Sequence, residues 1–394
     1  MAKRYIPISD LGEIVTGKTP PTANGELWGG SIPFITPTDI KGFSSFYQGE
    51  TERTVSDIGA SKQKKTLLPK NSVCVSCIAT IGKMCLTSTE SITNQQINTI
   101  VPNKNYDYRY VLYLLRYNLP YIQLVGGGSG SGTPIISKSK FAKFTFLIED
   151  SLPTQQKIAS ILSAYDSQIE NNQKRIKLLE QMAENLYKEW FVRFRFPGYE
   201  NAEFEGGVPK GWVSLVGDNK KPKGWTYGEL NQLGTFIRGK NITAAEMIEG
   251  QVPVISAGLE PAGYHNQANV CGPCLTISSS GANAGYLKYN LTDIWAADCS
   301  YYNNPDNIWF VYSSLKYLQP VISNLQCGAA QPHVYPKDVN RLCVILPPKS
   351  LITEYNRQSS LFFKNIHNLK NQIFLLTHQR DLLLPRLMSG KLSI

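Results

Sequence analysis

The stretch TQQKIASILSAYDSQIENNQKRIKLLEQMAENLYKEW, residues 154–190, decides how this chain is built. Ile158, Leu162, Tyr165, Ile169, Asn172, Ile176, Leu179, Ala183, Leu186 and Trp190 recur in it at alternating steps of four and three. That spacing is a heptad seam, the mark of a helix that lays one stripe on a partner helix. Adding 197 to each position gives Tyr355, Ser359, Phe362, Ile366, Leu369, Ile373, Leu376, Arg380, Leu383 and Leu387, most of them apolar. Two matching helices of about 34–38 residues, roughly 50–57 Å each, are therefore predicted. Pro385 is expected to end the second. Helices of this length exceed what one small domain covers, so they are expected to pair through this seam. Asn172 is the polar exception: it either fixes the register of the pair or faces solvent at a splayed crossing.

Outward from the helices, the whole chain repeats. Leu11-Gly12 with Gly17-Lys18 recurs as Leu233-Gly234 with Gly239-Lys240, an offset of 222. Ile32-Pro33-Phe34-Ile35 recurs as Val252-Pro253-Val254-Ile255 at 220, and Gly82 as Gly285 at 203. Thr133-Pro134 and Leu147-Ile148 recur as Gln331-Pro332 and Ile345-Leu346 at 198. The falling offset makes the second copy about 24 residues shorter, with the loss inside the domain. Short β-rich segments, Ser72 to Ile78 and Cys274 to Ser279, lie between Gly and Pro turns. A short helix is expected at Tyr108 to Leu119, with its counterpart at Tyr312 to Asn324. The fold class is α+β: two tandem domains of similar fold, 1–150 and 226–348. Each is followed by a long helix, 151–195 and 349–394, and a linker spans 196–225. Antiparallel pairing of the helices would give a pseudo-twofold. Pro-Lys-Gly-Trp occurs twice near the linker, at 209–212 and 222–225, and nothing in the sequence explains the duplication.

Composition narrows the function. The chain has 394 residues, 40 Lys and Arg against 30 Asp and Glu, and 42% hydrophobic residues, which suits a folded, soluble protein with a polyanionic partner. No apolar run approaches the ~18 residues of a membrane span, and Met1 to Pro7 lacks the apolar core of a secretory signal, so a cytoplasmic location is expected. The eight cysteines are read as reduced. Two C-x-x-C pairs, Cys74/Cys77 and Cys271/Cys274, lie too far apart for a four-cysteine zinc site. Cys271-Gly272-Pro273-Cys274 lacks the following helix of a redox pair, because Leu275 to Ser280 reads as strand. His367 and His378 share a helix face without a carboxylate or cysteine partner, so no metal site is assigned. Asn304-Pro305-Asp306-Asn307 lacks the second proline and the aromatic of an adenine-methylating clamp. The run GGGSGSG at 126–132 is followed by Thr133-Pro134 rather than by the lysine and helix of a phosphate-binding loop. No catalytic residue is assigned. Two related basic domains without a catalytic kit suggest a protein that reads two half-sites on DNA.

At this point the chain resembles the specificity subunit of Type I restriction–modification systems. The first copy shows it in Leu11-Gly12-Glu13-Ile14, Gly17-Lys18-Thr19-Pro20, Thr80-Ile81-Gly82-Lys83, Asn94-Gln95-Gln96-Ile97 and Leu152-Pro153-Thr154-Gln155-Gln156-Lys157-Ile158-Ala159. The second copy adds Ser279-Ser280-Gly281-Ala282-Asn283-Ala284-Gly285, Pro347-Pro348 and Leu387-Met388-Ser389-Gly390. The resemblance implies two target-recognition domains, each reading half of a bipartite site on double-stranded DNA. It implies helices that set the gap and dock two modification subunits. S-adenosylmethionine, and ATP with Mg, would then belong to partner modification and restriction (motor-nuclease) subunits, with no cofactor in this chain. The rivals are a coiled-coil scaffold that does not bind DNA and a self-contained DNA methyltransferase.

Base edges require paired donors and acceptors, and phosphates require Lys, Arg, small hydroxyls and backbone amides. The candidates in the first copy are Lys18, Thr19, Lys83, Ser129, Ser131 and Thr133. In the second they are Arg238, Lys240, Ser279, Ser280, Asn283, Gln331 and His333. For Lys18, Thr19, Arg238 and Lys240 plain solvation is the competing reading, and for the glycine-rich run it is a flexible surface loop.

Overall fold

The computed structural model describes residues 3–41, 46–126, 133–207, 220–326, 332–392 and 394. The chain forms two compact units, Met1–Lys174 with Lys370–Ile394, and Arg175–Leu369. The first contains strands β1 (Lys3–Pro7), β2 (Gly12–Thr16), β3 (Trp28–Ile35) and β4 (Arg53–Val55), helix α1 (Asp57–Lys62), and strands β5 (Val73–Ser76), β6 (Met84–Leu86), β7 (Ile92–Thr93) and β8 (Ile97–Pro102). Helices α2 (Tyr108–Tyr117), α3 (Leu119–Gly126) and α4 (Lys138–Ala142) follow, then β9 (Thr145–Glu149) and the long α5 (Leu152–Tyr187). Three sheets result: β1 with β9, a four-stranded β2-β8-β5-β6, and β4-β3-β7 with β3 and β7 parallel.

The second unit begins inside α5, which runs on into a π turn at Lys188–Val192. Strands β10 (Phe204–Gly206) and β11 (Lys220–Pro222) pair within the segment expected to be linker. Next come β12 (Thr226–Glu229), β13 (Ile237–Arg238), β14 (Val252–Ile255), β15 (Gly263–His265), β16 (Cys274–Ser278), β17 (Leu287–Asn290), β18 (Trp295–Ala296) and β19 (Cys299–Tyr302). Helices α6 (Ile308–Tyr317), α7 (Gln319–Ser323) and α8 (Pro336–Asn340), strand β20 (Cys343–Leu346) and helix α9 (Lys349–Ser389) complete the chain.

The second unit repeats the sheets of the first strand for strand. β12 pairs β20, the four-stranded order is β13-β19-β16-β17, and β15-β14-β18 again holds one parallel pair. The register agrees as well: Ser76 N–H donates to Lys83 and Gly82 N–H returns to Ser76, as Ser278 donates to Tyr286 and Gly285 returns to Ser278. Gly82 and Gly285 have φ of 94° and 83°, a left-handed turn that glycine adopts without strain. Most of the length difference lies between β3 and β5, where α1 has no counterpart.

Within each unit the long helices pack antiparallel. In the first, Ile158, Ala159 and Leu162 share one core with Leu383, Leu384, Leu387 and Met388. In the second, Ile176, Leu179 and Ala183 share a core with Phe362, Phe363 and Ile366. Ile169 and Leu369 are buried, and Tyr165, Ile373 and Leu376 half-buried. Asn172 is fully buried rather than turned to solvent. It takes a hydrogen bond from Gln168 and donates one to Gln372, both at 3.2 Å.

Two expectations fail. The short helix of the second copy is α6, starting at Ile308 rather than Tyr312, because Ile308, Trp309, Phe310 and Val311 are buried core residues of its first turn. Pro385 lies inside α9, which ends at Ser389. Proline removes one intrahelical bond, but Leu387 and Met388 are buried in the first core and Lys3 Nζ donates to the Met388 carbonyl at 2.6 Å. Those contacts hold the last turn, and Gly390, at φ 77°, follows it.

Equivalent positions beside the seam are filled by different chemistry. In the first unit, Asp166 is buried and accepts from Tyr113 Oη at 2.5 Å and Arg116 Nη1 at 3.0 Å, with Arg380 Nη1 on its other oxygen. The second unit puts Phe363 at that position, stacked on Trp309 with ring centroids 4.1 Å apart. Asp166→Ala would leave two buried guanidiniums without their common acceptor and is expected to cost about 3–5 kcal/mol. Equilibrium urea unfolding checks this; an unchanged midpoint would show the cluster to be energetically silent.

Candidate nucleic-acid interface

The C-terminal end of β5 gathers the first-copy candidates. Ser76 Oγ accepts from the Lys83 N–H at 2.9 Å. Cys77 N–H donates to Gln96 O, its carbonyl accepts from Ile136, and Ala79 N–H donates to Pro134 O. Thr133, exposed, thereby lies next to the anchored Pro134. The loop after β2 joins from the other side. A Cβ on Gly17 would come within 2.2 Å of Asn94 O, so only glycine fits the crossing. Exposed Lys18 follows, and Thr19 Oγ1 donates to Gln95 Oε1 at 2.7 Å. Lys83 Nζ folds back on the Pro37 carbonyl at 2.8 Å. Ser129 and Ser131 lie outside the described residues.

The end of β16 does the same in the second copy. Val334 N–H donates to Ser279 O, Gly281 N–H to Pro332 O, and Ser280 pairs with His333 in an isolated β-bridge. A Cβ on Gly239 would come within 2.5 Å of Ala296 O. Exposed Lys240 donates its N–H to the same carbonyl. Arg238, Ser280 and His333 are brought together, the first two on one carboxylate, Asp298. His333 stacks on the exposed Tyr335, over which Lys337 Nζ lies 5.6 Å from the ring centroid. Asn283 Nδ2 reaches the Ala257 carbonyl at 3.5 Å. Ser279 is wholly buried, so its side chain is held inside the domain. Gln331 and the first Pro-Lys-Gly-Trp lie outside the described residues. Trp225 of the second is buried against Phe191, Phe194 and Phe196.

Sequence reading missed Asp298 and Tyr335. Asp298 occupies the position of Gln96 in the matched ladders, so extending the repeat at an offset of 202 would have found it.

Among the described cysteines, Cys74, Cys77, Cys85, Cys274 and Cys299 are buried. Among the described residues no group of three or more His, Cys, Asp or Glu side chains is placed to hold a metal. Burial pushes the Cys77 thiol up to about 11, and those of Cys274 and Cys299 up to about 12. A raised folded value means the native state favours the protonated thiol. Stability from these groups is complete below the unfolded value near 8.5 and is lost as pH rises from there toward 12. At pH 8, alkylation of native protein should modify exposed Cys271 and Cys343 ahead of Cys74, Cys77, Cys85, Cys274 and Cys299. Equal labelling of all seven, read by mass spectrometry, would contradict this burial.

The chain is thus a duplicated α+β protein, each unit gathering loops at the end of one central strand and packing a segment of both long helices into its core. The chain belongs to the family of Type I restriction modification DNA specificity domains, whose model matches residues 4–181 and 222–380. It is 29% identical to the Type I restriction enzyme MjaIX specificity subunit of Methanocaldococcus jannaschii, over 98% of this chain and 93% of that one. The Type I restriction enzyme HindI specificity subunit of Haemophilus influenzae is 33% identical over 179 residues, 44% of this chain and 38% of that one. The crystal structure of a Type I restriction–modification S subunit from M. genitalium shares the fold, with a TM-score of 0.66 at 18% identity, covering 98% of this chain and 96% of that chain. The chain is thus a DNA sequence-recognition subunit, the non-catalytic component of a Type I restriction–modification system.

Proposed function

We propose that each recognition domain reads one half of a bipartite, asymmetric site on double-stranded DNA, and that the two long helices set the gap and dock two modification subunits. The observation that carries this is the family match to both copies, laid over two sheet systems with the same strand order and register. The end of β5 and the end of β16 supply the reading surfaces, because each gathers loops from three parts of its domain. The partners would supply the chemistry: S-adenosylmethionine in the modification subunits, and ATP with Mg in restriction subunits. A cytoplasmic location follows from such a role. Among the described residues no helix is long and apolar enough to cross a membrane.

Exchanging residues 1–150 for the equivalent domain of another family member is expected to change one half of the methylated motif and leave the other intact. Methylation sequencing of a host carrying the chain and its partners reads both halves; a change in both would contradict separable reading. Adding one heptad to each long helix lengthens the seam by about 10 Å and should widen the gap by about three base pairs. A constant gap in an active complex would remove the helices as the ruler. Duplex binding measured with the modification partner present should weaken steeply with salt, since Lys and Arg contacts release counterions. A flat salt response would favour a scaffold that never touches DNA.

A further inference from the structure

The second recognition surface contains an acid that a DNA-facing role does not by itself require. Asp298 lies just before β19 and is only partly buried. A carboxylate there is repelled by phosphates unless it is paired. Asp298 is paired twice: Arg238 Nη2 donates to Oδ1 and Ser280 Oγ to Oδ2. Arg238 sits at the end of β13, opposite Ser300 of β19, so the ladder fixes its backbone beside the acid. Its side chain keeps 42% of its accessible surface, and its remaining guanidinium donors have no partner among the described residues. An arginine tied at one nitrogen to a carboxylate is a pre-ordered planar fork.

The first domain holds no such pair. Thr16 and Gln96 occupy the positions of Arg238 and Asp298. Thr16 Oγ1 donates to Asn98 at 2.7 Å, and Gln96 Oε1 accepts from Asn94 at 2.9 Å. The frame is shared, and the charged pair is confined to the second copy.

We propose that Arg238 reads a guanine, O6 and N7 together, in the half-site of the second domain, and that Asp298 is the positioning residue that holds the fork. This rests on the DNA-reading function proposed above. Paired N–H donors on a plane match those two acceptors in the major groove, and no other base offers two acceptors there.

The test uses the full chain with its modification subunits, acting on plasmid libraries randomised across the target, with methylation sequencing as the readout. Wild type is expected to give a bipartite motif with at least one G·C pair in the half assigned to the second domain by exchange. Arg238→Ala and Asp298→Asn should both lower discrimination at the same G·C pair by about five- to 150-fold. Other positions, including the whole first half-site, should keep their preferences. Arg238→Lys keeps the charge without the fork, so it should lose the same preference while preserving the salt slope of binding. A merely structural role for Asp298 would not move one base position alone. Uniform weakening over all sequences, with a salt slope lower by about one, would make Arg238 a phosphate contact and overturn the proposal. So would a second half-site without G·C, or an Asp298→Asn protein that still discriminates while Arg238→Ala does not. Absence of any bipartite motif for wild type would instead overturn the DNA-reading function itself.

Discussion

A buried antiparallel seam between two helices carries the rest of this structure. Helix α5 gives Ile158 and Leu162 to one domain core and Ile176, Leu179 and Ala183 to the other, and α9 gives matching residues in reverse order. Without that seam each domain would expose an apolar helix face. Register matters, and polar residues guard it. A slipped helix would bring apolar side chains against Asp166 and Asn172, leaving a buried carboxylate and a buried amide without partners. That penalty is several kcal/mol, larger than most single apolar contacts contribute.

The two ends of the seam reach stability by different means. Asp166 between Arg116 and Arg380 is tolerated because both its oxygens accept from charged donors. At the other end Phe191, Phe310 and Tyr355 meet edge-on, Tyr187 lies tilted against Phe191 and Phe310, and Trp190 and Trp225 sit beside them. Aromatic packing there relies on buried area, with no desolvated ions to satisfy. The duplicated helices thus both pack antiparallel while the side chains beside their seam differ.

The candidate surfaces at the ends of β5 and β16 differ for a related reason. Backbone hydrogen bonds hold the ladders of β2-β8-β5-β6 and β13-β19-β16-β17, so side chains at strand ends are free to change without loss of the frame. At one position the first domain has a threonine bonded to an amide and the second an arginine bonded to a carboxylate. The same frame thus carries two different side-chain pairs at equivalent positions.

Periodicity and repetition are local or linear properties, and the amino-acid sequence determined what depends on them. The heptad seam, the duplication, the α+β class, the matched glycines at 82 and 285 and the family were all legible there. Tertiary structure alone decided what depends on partners far away in the chain. Pro385 reads as a stop because its helix-breaking is local, yet α9 continues through it because Leu387 and Met388 are buried in a core built from the other end of the chain. Asn172 reads ambiguously because its fate rests on Gln372, 200 residues on. Arg238 and Asp298, 60 residues apart, meet only because β13 and β19 are neighbours in a sheet. Pairing of polar groups follows strand order and register, which the repeat aligns between the two copies but does not itself reveal.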